Sequence, residues 1–429
     1  MNNGESRLYI FVIWEKARGQ TQTILDDLKT KFVIREIFEV EWNKKNFLNN
    51  LKRFYGQSLS DAEEKAKVCG TGPFLVIMIS DSNPDLREPS KSKFSLEKDY
   101  VNVNVFESKE RYRKWVGKEF SVHSSISKNE TNHNLTLLFG KNAYDFEREL
   151  PKEWDGSIKK LKSDLVGQKG WNNMKELLYV MNGTVDYVIL RNFENMPENF
   201  DYNDVDMLVD DEKLAYIVNK DFSPLTDNPR AIRLEVGNKK IVFNPNYVGD
   251  HYYDDKWERD ILKNRILHPN GFYIPCKMDY LYTLLYHVTF HPRWKDVAKI
   301  SDKYKNILIE LGKELNLEKI TDATLSDVDY SKRIVELYLE KMSYQRTDTV
   351  YYKIKNNESS RLFKTSIFLL KTHGIKYLLF AIGWGLRRNV LFLSPTINSS
   401  NAFNMIAPSL SPGAIRASET SFLGSMPSR

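Results

Sequence analysis

The chain has 429 residues, and at about 150 residues per domain this length predicts two or three domains. Hydrophobic residues make up 41% and aromatic residues 13% of the chain, which indicates a packed globular protein and excludes a largely disordered one. The 63 basic and 57 acidic residues leave a charge of +6, too small to specify an anionic partner, and two cysteines, Cys69 and Cys276, exclude a disulfide framework.

The start of the chain lacks the basic segment and apolar core of a secretory signal. No uninterrupted apolar stretch reaches the length of about 18 residues that a membrane-spanning helix needs. We therefore expect a cytoplasmic protein in reducing surroundings.

The first predicted domain covers residues 1–150 and alternates strand patterns with helical spacing. Strands are predicted at residues 8–14, 33–42 and 74–79, helices at 20–31 and 47–55, and an exposed loop at 82–97. This alternation predicts an α/β layer structure.

The second predicted domain covers residues 151–300 and reads as a mixed sheet with helices. Helices are predicted at residues 171–181 and 212–219, strands at 185–190 and 205–209, and a hairpin of strands 232–236 and 240–243 that turns at Gly237 and Asn238. Helices then dominate from residue 256 to about residue 341.

The last part of the chain is predicted to be a helical region over residues 301–394 and a disordered tail over 395–429, which is rich in Ser, Ala, Pro and Asn. Residues 375–393 are apolar and aromatic, with basic residues in and beside them. Peripheral contact with an anionic membrane and a packing face are both open interpretations of this segment.

Asp204 and Asp206 are the most informative residues of the second domain. In a strand they project to the same face, about 7 Å apart. Two carboxylates at the start of a buried strand are costly unless a cation neutralises them, and Mg²⁺ or Mn²⁺ held there would bind nucleotide phosphates. We predict a buried metal site; a solvated acidic turn is the competing interpretation.

An ordered set of motifs surrounds this pair. A strand ends in Leu190-Arg191, the Asp-x-Asp strand follows, Tyr-Val-Gly-Asp-His-Tyr-Tyr-Asp occupies residues 247–254 before Trp257, and Leu-Leu-Tyr-His occupies 284–287. The set resembles the nucleotidyltransferase fold, in particular its bacterial branch from surface-polysaccharide gene clusters. The resemblance covers roughly 130 residues and implies Asp204 and Asp206 as catalytic metal ligands.

Two positions depart from that family pattern. Arg191-Asn192 stands where a Gly-Ser turn usually binds phosphate, and Asn244 stands where a third carboxylate is expected. Arg191 and Asn192 would then contact the substrate, as would Asn244, and Asp250 (or Glu235) would complete the catalytic set. Tyr252 is a candidate for stacking on a base or a sugar.

The implied function is a metal-dependent nucleotidyl- or phosphoryl-transferring enzyme of cell-surface glycan synthesis, with a nucleotide or nucleotide sugar as donor and a glycan as acceptor. An Asp-x-Asp glycosyltransferase and a catalytically inactive scaffold of the same fold stay open as alternatives. No long basic patch with interleaved aromatic residues accompanies the pair, so the sequence does not favour nucleic acid as a partner.

Two groups of histidines complete the candidates. His123, Glu130 and His133 are predicted to meet where a strand leads into a helix, as a second site for a metal or a phosphate; helix capping by Asn129 beside structural histidines is the alternative. His287 and His291 share one helix face, but no acidic residue completes a zinc motif, and we expect them to be structural.

Overall fold

Two mixed sheets, each packed against helices, form the computed structural model and confirm the predicted α/β class. Residues 1–350 form one unit. The structure describes residues 7–56, 59, 61–88, 99–118, 120–198, 204–210, 213–218, 231–250, 252–290 and 300–347. The predicted membrane-contacting segment 375–393 and the predicted tail 395–429 lie outside these residues, as do His251 and His291, and the predicted domain boundaries stay predictions.

The first sheet has the strand order β6-β1-β3-β2-β7. Its strands are β1 (Arg7–Ile13), β2 (Val33–Glu41), β3 (Phe74–Asp81), β6 (Val122–Ser124) and β7 (Ile158–Lys162); a small ribbon is formed by β4 (Leu86–Arg87) and β5 (Val101–Asn102). β7 pairs in parallel with β2, and the other neighbours in this sheet are antiparallel. The sheet therefore takes its last strand from beyond the predicted boundary at residue 150.

Helices cover both faces of the first sheet. After a 3-10 helix (Glu15–Gln20) come α1 (Thr21–Lys31), α2 (Phe47–Tyr55), α3 (Ala62–Cys69), α4 (Val103–Val116), α5 (Lys128–Phe139) and α6 (Ala143–Glu149). Side chains alternate along β1, so Tyr9 and Phe11 pack with α1 and α4, whereas Leu8 and Ile10 face the core shared with α2 and α5. Burial on both faces explains why β3 is apolar from Phe74 to Ile79.

The second sheet has the order β10-β11-β9-β8. Its strands are β8 (Tyr187–Ile189), β9 (Asp204–Val209), β10 (Ile232–Val236) and β11 (Lys239–Tyr247). β9 runs parallel to β11, while β8 pairs antiparallel with β9 and β10 pairs antiparallel with β11. The predicted hairpin is confirmed, and Gly237 makes its turn with a positive φ of 58° that favours glycine.

The helices of the second half are α7 (Met174–Thr184), α8 (Lys213–Val218), α9 (Asp255–Lys263), α10 (Lys277–Phe290), α11 (Asp302–Glu314), α12 (Asp322–Ser326) and α13 (Val328–Met342). Helix α7 begins later than predicted because Asn173 caps it, accepting the Glu176 N–H. A two-stranded ribbon, β12 (Ile266–Leu267) with β13 (Tyr273–Ile274), interrupts the predicted helical region, since two-residue strands are too short to show a period.

One hydrophobic core connects the two sheets. It runs from the α2 side of β1, through α5 and α7, to the buried residues of β8, β9 and β11 and on to α10 and α13. Along the β10–β11 hairpin, buried residues alternate with exposed or half-buried residues that form the opposite face. The candidate site lies on that less buried face.

Candidate functional site

Strand β9 and strand β11 bring three of the predicted residues together. Asp204 and Asp206 are two positions apart in β9 and share one face, and Asn244 lies beside Asp206 in the parallel register. The Asn244 amide donates to Asp204 Oδ2 at 3.4 Å. Two carboxylates and an amide therefore meet at one point of the sheet, as the sequence predicted for the pair.

The predicted burial of this pair is wrong. Asp204 is exposed, because β9 begins at the rim of the sheet, and the Asp206 side chain keeps 22% of its surface accessible. Asp206 has a cation of the protein's own, since Arg191 Nε lies 2.9 Å from its Oδ2. Water and Arg191 relieve the repulsion that we expected only a metal to relieve.

Arg191 sits at the end of β8 with only 6% of its side chain exposed. The backbone beside it is tied to β9, since Leu190 N–H donates to the Asp206 carbonyl at 2.9 Å. Burial disfavours the charged guanidinium, yet the Asp206 carboxylate and the hydroxyls of Tyr252 and nearby tyrosines raise the pKa of Arg191 above its usual value. Arg191 is thus a buried ion-pair partner of Asp206, and its predicted contact with the substrate stays a prediction.

The ion pair is imperfectly aligned. Arg191 Nε is close to Asp206 Oδ2, but it makes no hydrogen bond that meets normal geometry in the described structure. A charged pair in such surroundings is stabilised mainly by Coulomb attraction, which is strong where water is excluded. The pair depends on both partners staying charged.

Asp250 lies 2% exposed in the loop after β11. Its Oδ2 accepts the Tyr247 N–H at 3.0 Å and its Oδ1 accepts the Tyr252 N–H at 2.9 Å. Asp250 is therefore buried because its carboxylate accepts backbone N–H groups and stabilises this turn. Its catalytic role stays a prediction.

Glu258 of α9 stabilises the same loop through hydrogen bonds to its backbone. Its carboxylate accepts the N–H groups of Gly249 and Tyr253, at 2.8 and 3.1 Å. Burial and the nearby Asp250 carboxylate raise the pKa of Glu258 to about 9. No pattern in the sequence singles out this residue, because an acid in the first turn of a helix is ordinarily a surface residue.

Tyr252, in the loop after β11, contacts His287 of helix α10. The Tyr252 hydroxyl lies 3.0 Å from His287 Nδ1, and burial raises the pKa of Tyr252 above its usual value. The His287 ring also packs edge-on against Tyr304 of α11, with centroids 6.2 Å apart. His287 therefore has the structural surroundings that we predicted for it.

Asn192 follows Arg191 with a positive φ of 60°, a conformation that asparagine tolerates better than most residues. Its Oδ1 accepts from Lys303 Nζ of α11 at 3.1 Å. Lys303 and Tyr304 thus join the neighbourhood of Arg191 and Asn192, and sequence reasoning missed both. They lie more than 110 positions further along the chain, where only tertiary folding connects them.

A cavity of about 980 Å³ lies elsewhere, between the end of the first sheet and the β10–β11 hairpin. Two tryptophans and charged residues of both signs line it, among them Trp42, Lys162, Trp171, Glu176 and Glu235. Asp204, Asp206 and Asn244 are not part of its lining. Glu235, our alternative third acid, lines this cavity and lies opposite Lys240 in the register of the hairpin.

The predicted second group is brought together only in part. His123 lies on β6 and Glu130 on α5, with His123 Nε2 3.8 Å from Glu130 Oε1 and 2.9 Å from the Asn134 amide. His133 instead places its Nε2 3.1 Å from the Phe54 carbonyl. Ser127, not Asn129, caps α5.

Within the described ranges, no group of three or more His, Cys, Asp or Glu side chains is arranged to hold a metal ion. Asp204, Asp206 and Asn244 offer oxygen ligands of the kind that Mg²⁺ prefers, with Arg191 as the competing cation. No described helix is both long and apolar enough to cross a bilayer.

Comparisons with protein-family models, with curated proteins and with solved structures find no match to this chain. The resemblance to nucleotidyltransferases therefore stays a prediction. A functional assignment has to rest on the geometry around Asp204 and Asp206.

Proposed function

We propose that the chain is a Mg²⁺-dependent enzyme that transfers a nucleotidyl or phosphoryl group in cell-surface glycan synthesis. The observation that carries the proposal is the meeting of Asp204, Asp206 and Asn244 at one point of the sheet. The glycan acceptor rests on the sequence resemblance alone. Manganese would serve the same oxygen ligands.

The side chains have separate tasks under this proposal. A bound magnesium ion would supply positive charge against the phosphate oxygens. Asp204, which faces water, and Asp206 would hold it, and Asn244 would orient Asp204 through its amide. Arg191 would hold the Asp206 carboxylate in place until the metal shares its charge. Tyr252, which interacts electrostatically with Arg191 and Asp206, would line the substrate-binding side of the site.

The test is binding of a nucleoside triphosphate with magnesium, measured by titration calorimetry on the full chain. Asp204→Asn is the informative variant because Asp204 is exposed, so its loss leaves folding intact. We expect binding to weaken by about tenfold or more, as for loss of one charged ligand. Asp186→Asn is the matched control, since Asp186 directly precedes the neighbouring strand β8 and pairs with Arg265.

Consumption of labelled nucleoside triphosphates compared with labelled nucleotide sugars then separates a nucleotidyltransferase from an Asp-x-Asp glycosyltransferase. Equal magnesium-dependent binding by the parent and by Asp204→Asn would remove the metal site from the proposal.

One observation favours the inactive scaffold as a second candidate. Arg191 already neutralises Asp206, and Asn244 brings no charge of its own. Under this alternative the parent titration with magnesium and nucleotide shows no heat, while a protein partner copurifies with the full chain.

A further inference from the structure

Three cationic side chains and one histidine converge in the first half of the molecule. Lys65 comes from α3, Lys109 and Arg113 from one face of α4, and His123 from β6. Lys65, Lys109 and His123 are buried, and only Arg113 keeps a fifth of its side chain accessible. Burial, and after it the charges of the neighbouring cations, lower the pKa of His123 well below its usual value, so the positive charge comes from Lys65, Lys109 and Arg113. We call these four residues the cationic cluster.

Two aromatic rings link the members of the cluster. The Phe120 ring centroid lies 5.2 Å from Lys65 Nζ and 5.7 Å from Arg113 Cζ. The Tyr55 ring centroid lies 4.6 Å from Lys65 Nζ and 5.3 Å from the His123 ring. Lys65 is therefore the centre of the cluster, with Arg113 on one side and His123 on the other.

Lys65 has only neutral partners. Its Nζ donates to the Phe120 carbonyl at 2.8 Å, and in the part of the chain that the structure describes no carboxylate lies within ion-pair distance of it. Burial, together with the charges of Arg113 and Lys109, lowers the pKa of Lys65 to about 8, against an opposing contribution from Cys69. A buried ammonium in such a setting is unusual, because buried charges are ordinarily paired.

The acids nearby are engaged with other members of the cluster. Glu110 pairs with Arg113 at 2.9 Å, and Glu130 accepts the Ile126 N–H while lying 3.8 Å from His123. Positive charge around Lys65 repels a metal cation and attracts an anion. Of the metal and the phosphate that the sequence left open for His123, this arrangement favours the phosphate.

We propose that the cationic cluster binds a phosphate-bearing small molecule, with Lys65 and Lys109 donating to the phosphoryl oxygens. A phosphoryl group is compact, multiply charged and rich in acceptors, which suits several ammonium donors that converge from different helices. The Phe120 ring, 51% exposed, marks the open side of the cluster and offers an apolar surface to the rest of the ligand. His123, which contacts the Asn134 amide at 2.9 Å, borders the cluster beside Tyr55.

This site is independent of Asp204 and Asp206 and needs no magnesium. Calorimetric titration of the full chain with inorganic phosphate, and then with pyrophosphate, is therefore done in EDTA, where a magnesium-dependent site is silent. We expect saturable binding by the parent. Lys65→Met should weaken it by about tenfold or more, the effect of losing a charge-assisted hydrogen bond.

Lys67→Met is the matched control, because Lys67 lies in the same helix but is exposed, and it should bind as the parent does. A thermal melt separates lost binding from lost folding, since Lys65→Met removes a buried charge and should melt no lower than the parent. Lys109→Met provides a second variant with an expected loss in the same direction.

The proposal is overturned if the parent shows no saturable binding in EDTA, or if Lys65→Met and Lys109→Met bind as tightly as Lys67→Met. Loss of magnesium-dependent nucleotide binding in Asp204→Asn with phosphate binding unchanged would support both sites separately.

Discussion

The acidic face of the second sheet and the cationic cluster of the first half differ in burial as well as in the sign of their charge. Asp204 is in contact with water and Asp206 has Arg191, whereas Lys65 is buried among a carbonyl, a thiol and aromatic rings. Neighbouring carboxylates in a sequence therefore do not by themselves demand a cation. A buried ammonium with neutral neighbours makes the stronger case for a ligand of opposite charge.

The largest effect is expected at the Arg191–Asp206 pair. Asp206→Ala leaves the guanidinium buried and uncompensated, and the free energy of unfolding should fall by about 3 kcal/mol, at the lower end for a broken buried pair because Asp206 is partly exposed. Urea unfolding measures this loss. The double variant Asp206→Ala with Arg191→Met should recover part of it; no recovery would mean that the charge of Arg191 is not what Asp206 compensates.

Glu258 should make the second half less stable as the pH rises. Its pKa is raised to about 9, so between the unfolded value of 4.5 and pH 9 the folded protein holds a proton that the unfolded chain has lost. Stability from this group is complete below about pH 4.5 and decreases toward pH 9. Urea unfolding at pH 5 and pH 8 should differ by about 4 kcal/mol in the parent.

Glu258→Gln carries no titratable group and should lose most of that difference between the two pH values. A pH profile identical to that of the parent would show that Glu258 is already ionised in the folded protein, and that the Asp250 loop is held together without a proton.

Lys65 should have a smaller effect of opposite sign. Its pKa is lowered to about 8, so the unfolded chain binds the proton more tightly, and stability rises between about pH 8 and pH 10.5. At pH 7 Lys65→Met removes this cost but also loses the bond to the Phe120 carbonyl, and we expect a net gain of about 1 kcal/mol. Differential scanning calorimetry without phosphate measures it, and a clear destabilisation would identify Lys65 as a purely structural residue.

The smallest effect is expected at Asp204. Asp204→Asn changes an exposed side chain at the rim of β9, and stability should shift by less than about 0.5 kcal/mol while magnesium-dependent binding is reduced. Chemical unfolding checks the first part of this expectation. A large loss of stability would place Asp204 with Asp206 as a structural acid and sharpen the comparison with Lys65.

Much of the local structure was predictable from residue patterns. The apolar run of β3, the alternation of β2 and the helical spacing of α2 each follow from one period repeated over eight or nine residues. The hairpin was predictable from Gly237-Asn238. The ribbon of β12 and β13 was missed because two residues carry no period.

The sequence by itself determined which residues share a face. Asp204 and Asp206 lie two apart in a strand, and Lys109 and Arg113 four apart in a helix, because the backbone period leaves no other choice. Only the tertiary structure decided what each face meets. It brought Arg191 to Asp206, Asn244 to Asp204, and Lys65 to the Phe120 carbonyl, since burial and pairing depend on segments that are distant along the chain.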